Sequence, residues 1–186
     1  AAYKLDLNGS YQAKNVLGVL TAVGILQSKG WQISKQNILD GLSHVKNNTG
    51  LYGRWQIINE SPTTVVDVAH NVAGIQTLLE QIASIQYSQL HMVMGMVKDK
   101  DIDSVLALLP DNASYYFTQA QIERAIDAID LQQKASALGL NGSIFKNVNE
   151  AITAAKKAAK ANDLIVVCGS VFLVGEIEGI IPSSIL

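Results

Sequence analysis

Arginine is scarce: only Arg54 and Arg124 among the fourteen bases, against sixteen acidic residues, for a net charge of −2. A surface that follows a nucleic-acid backbone needs clustered positive charge, so general nucleic-acid binding is excluded. The single cysteine, Cys168, lies in the apolar run Leu164–Cys168 and has no disulfide partner, which fits a reducing cytoplasm. The histidines, His44, His70 and His91, are scattered and make no metal-ligand set with one apolar cysteine. His91 sits in a strand-like run and reads as a packed surface residue. No apolar run approaches the roughly 20 residues of a membrane span, and the N-terminus lacks the basic-then-apolar layout of a secretion signal. Also missing are Gly-x-Gly-x-x-Gly and Gly-x-x-x-x-Gly-Lys-Ser/Thr, so neither a dinucleotide nor a triphosphate cradle is encoded in full.

What is present is apolar. The 186 residues are 48% hydrophobic and 16% charged, against roughly 25% charged in an average domain. Disorder is excluded, and the length allows one domain or one domain plus part of another. Residues 1–53 carry five Lys against Asp6 and Asp40, whereas residues 54–186 carry nine bases against fourteen acids. The chain opens Ala1-Ala2 without an initiator Met, and its first fifty residues read as the end of something larger, so an excised fragment is expected.

In that first part, Ala13, Val16, Leu17, Leu20 and Val23 follow helical spacing up to Gly30, and Ser34 opens a second helix with Ile38, Leu39 and Leu42. A helical hairpin is expected, needing a larger body to pack on. The stretch Asn47–Gly53 has no hydrophobic period and reads as a linker. Beyond it, β-rich runs at Thr64–Val68, Leu90–Met94, Ala113–Phe117, Ser143–Phe145 and Leu164–Cys168 alternate with helical patterns, with Trp55–Ile58 an extra strand and Val171–Ile180 a closing helix. Strand–helix alternation predicts an α/β fold, a mostly parallel sheet with helices on both faces.

Open sheets of this kind bind ligands beyond the carboxyl ends of their strands. Most of the conspicuous polar chemistry lies there: Asp67, His70 and Asn71; Gly95 to Asp101; Thr118; Lys146 and Asn147; Gly169 and Ser170. Asp67, His70 and Asn71 offer a carboxylate, an imidazole and an amide within five positions, or else a helix cap with its supporting hydrogen bonds. Ser170 is either a plain N-cap or an anion contact at a helix start. Lys98 to Asp101 reads as a solvated loop with Asp101 capping the next helix. Arg54, at the junction of the two parts, suits a phosphate or an interdomain salt bridge equally.

In sequence order, Gly53-Arg54-Trp55, Asp67-Val-Ala-His-Asn71, Gly95-Met-Val-Lys-Asp-Lys-Asp101, Arg124-Ala125 and Cys168-Gly-Ser-Val-Phe-Leu-Val-Gly-Glu176 closely resemble the C-terminal domain of the folylpolyglutamate synthase/dihydrofolate synthase branch of the Mur ligase superfamily. Asn8 to Asn15 resembles the segment leading into the late helices of that family's central ATPase domain. The departures are Val72 and Glu123, where proline is usual, and Phe172, where tyrosine is common.

The resemblance implies a Rossmann-like domain over residues 51–186, preceded at 1–50 by the last helices of a partial ATPase domain. It implies ATP-dependent ligation of L-glutamate to folate or dihydropteroate through an acyl phosphate, with Mg²⁺ and the phosphate loop held outside this chain. Asn15 would contact adenine, Arg54 and Asp67 the ATP, and His70 and Ser170, as the catalytic residues, the glutamate, with Asp67 also on the substrate side. Lys100 and Asp101 would have a structural or positioning role, and no role is assigned to Arg124. A monomeric cytoplasmic parent, an inactive isolated chain and packing on the ATPase domain complete the expectation. The alternatives are a peptidoglycan-type Mur ligase and a non-catalytic α/β binding module.

Overall fold

A computed structural model describes residues 3–180. It opens with three helices, α1 (Gln12–Ser28), α2 (Lys35–Ser43) and α3 (Val45–Thr49). Ser34 caps α2 by accepting from the Asn37 amide, and the Asn37 side chain accepts the Ser34 amide in return, satisfying two otherwise orphaned donors. The helix α3 runs into the stretch read as linker, leaving only Gly50–Gly53 irregular. The hairpin buries little within itself. Only Gln12 of α1 and Leu42 of α2 are buried, and an apolar groove of about 340 Å³, lined by Leu7, Val16, Val19, Leu42 and Val45 among others, runs between the helices.

The remaining strands are β1 (Gln56–Glu60), β2 (Thr63–Val66), β3 (Leu90–Met94), β4 (Ser114–Phe117), β5 (Gly142–Ile144) and β6 (Leu164–Cys168), in the sheet order β1-β2-β6-β3-β4-β5. Only the β1–β2 pair is antiparallel. The central strands β3 and β6 are buried at every position, which is why they read as unbroken apolar runs.

Side-chain alternation along the strands divides the core in two. Met92, Met94, Val166 and Cys168 face α4 (Val72–Ala83), α5 (Ile102–Leu106) and α6 (Ala128–Ser136), through Ile75, Leu78, Val105, Leu106 and Leu131. Val93, Ile165 and Val167 face α7 (Val148–Ala158) and α8 (Val171–Gly175), through Val148, Ala151, Ala155 and Leu173. Helices therefore cover both faces, as the alternation predicts. The closing helix is shorter than expected: α8 ends at Gly175, and Ile177 and Ile180 complete the second layer from a turn. His91 is not on the surface. It is 4% exposed, its Nδ1 3.0 Å from the Tyr116 hydroxyl and its Nε2 3.4 Å from Asp163.

Candidate functional site

The parallel strands β2, β6 and β3 end together, and glycines let them do so. Gly169 has φ +110°, and a Cβ on it would stand 2.5 Å from the Gly95 carbonyl oxygen; one on Gly95 would stand 2.7 Å from that of Thr118. The Gly169 amide donates to the Ala69 carbonyl at 2.8 Å, so the next residues along the two strand exits, His70 and Ser170, are fixed by one backbone bond.

Asp67 follows the last paired residue of β2 and is only 4% exposed. A buried carboxylate needs donors, and three converge on it. The Trp55 amide (2.8 Å) and the Tyr11 hydroxyl (2.7 Å) donate to Oδ2, and the Ala69 amide (2.9 Å) donates to Oδ1. Trp55 reaches it by adopting φ +47°, a left-handed conformation uncommon outside glycine. Burial first, and then the Asp67 carboxylate, hold the Tyr11 hydroxyl far above its ordinary pKa, so Tyr11 acts as a donor. Behind them the Cys168 thiol is pushed up to about 12, by burial and then by the Asp67 charge, and is inert at neutral pH.

His70 is half-buried, and its Nδ1 lies 2.8 Å from the Val68 carbonyl oxygen. A carbonyl only accepts, so Nδ1 donates and Nε2 is left for a ligand. Asn71 caps α4 by accepting the Gly74 amide at 2.8 Å. Arg54 donates only to the neighbouring Gly53 carbonyl, at 3.3 Å, and among the described residues makes no salt bridge. Most of its planar fork is therefore free of partners among the described residues.

These groups share one cleft of about 370 Å³, whose walls include Tyr11, Lys14, Asn15, Arg54, Asp67 and His70. Asn15 is exposed, its amide held by Gln12 at 2.9 Å. Four of the five site residues expected from sequence therefore meet. Ser170 does not line this cleft. It is 3% exposed at the adjacent strand end, with Oγ accepting the Phe172 amide at 3.1 Å. Lys100, Asp101 and Arg124 lie apart as well. Asp101 caps α5 through the Ser104 amide, and hydrogen bonding from Ser104 holds its carboxyl below the usual range. Arg124 pairs with Asp99 at 2.9 Å and lies 5.6 Å over the Phe172 ring. Tyr11 and Lys14 were not singled out by sequence; the helical spacing of Tyr11 and Asn15 was the available signal.

Residues 53–171 match the family described as Mur ligase, glutamate ligase domain. The chain belongs to this family. Among its relatives, the dihydrofolate synthase/folylpolyglutamate synthase of Escherichia coli is 34% identical over 165 residues, which is 88% of this chain and 37% of the relative. A solved structure of the E. coli protein in complex with DHPP and ADP superposes with a TM-score of 0.68 at 34% identity, covering 83% of this chain and 36% of that one. The folylpolyglutamate synthase of Mycobacterium tuberculosis, complexed with ADP and AMPPCP, superposes with a TM-score of 0.78 at 28% identity, over 92% and 40%. The chain spans between about a fifth and two fifths of the length of the curated relatives it matches, 37% of the Escherichia coli one. No helix among the described residues is long and apolar enough to cross a membrane.

Proposed function

We propose that this chain is the C-terminal part of an ATP-dependent ligase that joins L-glutamate to folate or dihydropteroate. Residues 1–50 would be the last helices of its ATPase domain and residues 51–186 its glutamate-ligase domain, in a monomeric cytoplasmic protein. The observation that carries this reading is the convergence of Asn15, Arg54, Asp67 and His70 on one cleft at the strand ends, in a chain of the Mur ligase glutamate ligase family.

The cleft suits a nucleoside with phosphates. Asn15 offers an amide to a base edge, Asp67 retains acceptor capacity on Oδ1 for a hydroxyl, and Arg54 and Lys14 offer positive charge for phosphate. A divalent cation is not matched by this chain: among the described residues no three His, Cys, Asp or Glu side chains cluster to hold one. Mg²⁺ and the phosphate loop belong, on this reading, to the rest of the protein.

In the reaction, a substrate carboxylate oxygen attacks the γ-phosphorus of ATP and ADP leaves, giving an acyl phosphate. The glutamate ammonium gives up one proton to become the free amine, which attacks the acyl carbon; the C–O bond to phosphate breaks, and a second proton passes from nitrogen to the departing phosphate as the amide forms. Such chemistry depends on positioning and charge neutralisation. Arg54 neutralises phosphate, Asp67 orients the nucleotide and the substrate side of the cleft, and His70, with Nδ1 on Val68, presents Nε2 to take the ammonium proton. Ser170 would orient glutamate from the neighbouring strand end.

The test is ligation by the full-length protein, with ATP, L-glutamate and either a reduced folate or dihydropteroate, against nucleotide-linked muramyl acceptors. Glutamate-dependent ADP release with a folate-type acceptor is expected, and the isolated 186 residues should be inactive. Turnover with the muramyl acceptors alone would refute the folate assignment, and nucleotide or glutamate binding without turnover would refute the ligase.

A further inference from the structure

The Asp67 carboxylate draws two of its three donors from backbone beside the sheet and the third from 56 positions earlier, the Tyr11 hydroxyl at 2.7 Å. A carboxylate offers about four lone-pair sites. Oδ2 takes two donors and Oδ1 one, so Tyr11 occupies Oδ2 and leaves Oδ1 with a further lone pair. The Tyr11 carbonyl in turn accepts the Lys14 amide at 3.1 Å and the Asn15 amide at 3.4 Å, forming the first turn of α1. The adjoining Ser10 amide is tied to Gln81 Oε1 on α4 at 2.8 Å. One hydroxyl therefore links the element carrying Asn15 to the strand end carrying Asp67, across the irregular segment at Gly50–Gly53.

We propose that Tyr11 is a positioning residue for the nucleotide cleft: its hydroxyl orients the Asp67 carboxylate and sets the spacing between Asn15 and the strand ends. The inference rests on the reading that Asn15, Arg54 and Asp67 contact nucleotide. Burial and the carboxylate keep the hydroxyl protonated, so the bond persists across the neutral range.

The experiment measures binding of a non-hydrolysable ATP analogue, AMPPNP, to the full-length protein and its Tyr11→Phe variant, together with kcat and the KM for glutamate. The variant keeps the ring and its packing. AMPPNP Kd is expected to rise about tenfold, equivalent to ~1.4 kcal/mol, with kcat at saturating ATP and the glutamate KM within about twofold. Gln81→Ala, which cuts the neighbouring anchor without touching Asp67, should leave AMPPNP affinity unchanged. An unchanged Kd in Tyr11→Phe overturns the proposal, as does tighter binding, which would make the hydroxyl a competitor for the carboxylate. A lower Tm and kcat at constant Kd would assign Tyr11 a structural role only and equally overturn it. Arg54→Ala separates the two levels of the argument. If it weakens AMPPNP while Tyr11→Phe does not, only this inference fails; if neither does, the nucleotide reading itself fails.

Discussion

Replacing Gly169 by alanine tests whether the close approach of β6 and β3 at their carboxyl ends is what sets the site. An added Cβ would stand 2.5 Å from the Gly95 carbonyl oxygen and 3.3 Å from Met96 Cγ, at a residue with φ +110°. The conformational penalty for an L side chain in such a region is about 1–2 kcal/mol. The contact with backbone oxygen cannot be relieved by rotating a side chain, and overpacking of this kind costs about 1–3 kcal/mol. The sum is about 2–5 kcal/mol. Gly139→Ala isolates the first contribution, because Gly139 has φ +81° and nothing within 4 Å of the added atom. Urea unfolding followed by tryptophan fluorescence is a suitable assay, since Trp55 is 5% exposed and Trp31 63%. With a urea dependence of about 1–3 kcal/mol per molar, an extra 2 kcal/mol lowers the midpoint by roughly 1 M. Gly169→Ala should fall below Gly139→Ala by about that amount. Coincident midpoints would refute the steric reasoning and, with it, the claim that this glycine is what lets β6 and β3 approach so closely at their carboxyl ends.

Asp163 gives a pH-dependent prediction. Its carboxylate accepts the Lys160 amide at 2.6 Å and the Gln89 amide at 3.1 Å, and faces His91. The Lys160 hydrogen bond foremost, then His91 and Gln89, lower its pKa below the ordinary 3.8. A depressed carboxylate stabilises the fold fully above its unfolded value and loses that contribution as pH falls through the folded one. The difference in urea midpoint between the wild type and Asp163→Asn should therefore persist at neutral pH and shrink below the unfolded value; a difference that grows on acidification contradicts it. On α1, Leu17 is 65% exposed and Ile25 54%. Contiguous apolar surface favours association, so the isolated chain should self-associate as concentration rises, and the double substitution Leu17→Lys, Ile25→Lys should reduce this. Light scattering that gives a monomer at every concentration would count against it.

The elements that sequence shows best are those whose determinants are local. The runs Leu90–Met94 and Leu164–Cys168 coincide with β3 and β6 because burial on both faces demands apolar residues at every position. The caps on α2, α4 and α5 were legible for the same reason: each needs only a short polar side chain and an amide two or three residues on. Elements completed from a distance were not. Within α3, Val45-Lys-Asn-Asn-Thr49, the Lys46 amide is satisfied by Asp6, forty positions away, at 2.9 Å. His91 reads as a surface residue because the two groups that make its burial tolerable, Tyr116 and Asp163, lie on other strands or loops.

The same division explains the site. In the sequence, capping and ligand binding stand as alternatives for Asn71 and Ser170. The geometry removes that opposition for Ser170. Its Oγ accepts the Phe172 amide, yet a hydroxyl that accepts one bond still has a proton to donate. Asn71 likewise spends its Oδ1 on Gly74, keeping its amide protons. Capping thus fixes the side chain, and the remaining hydrogen-bonding capacity is what a ligand would use. Arg54 differs, since its one hydrogen bond, to the Gly53 carbonyl, leaves the rest of its fork to whatever group meets it. The role of Tyr11 is not legible in the sequence because its partner is 56 positions away. A tyrosine before an amphipathic helix carries no local mark of a buried carboxylate, and only the folded chain brings the two together.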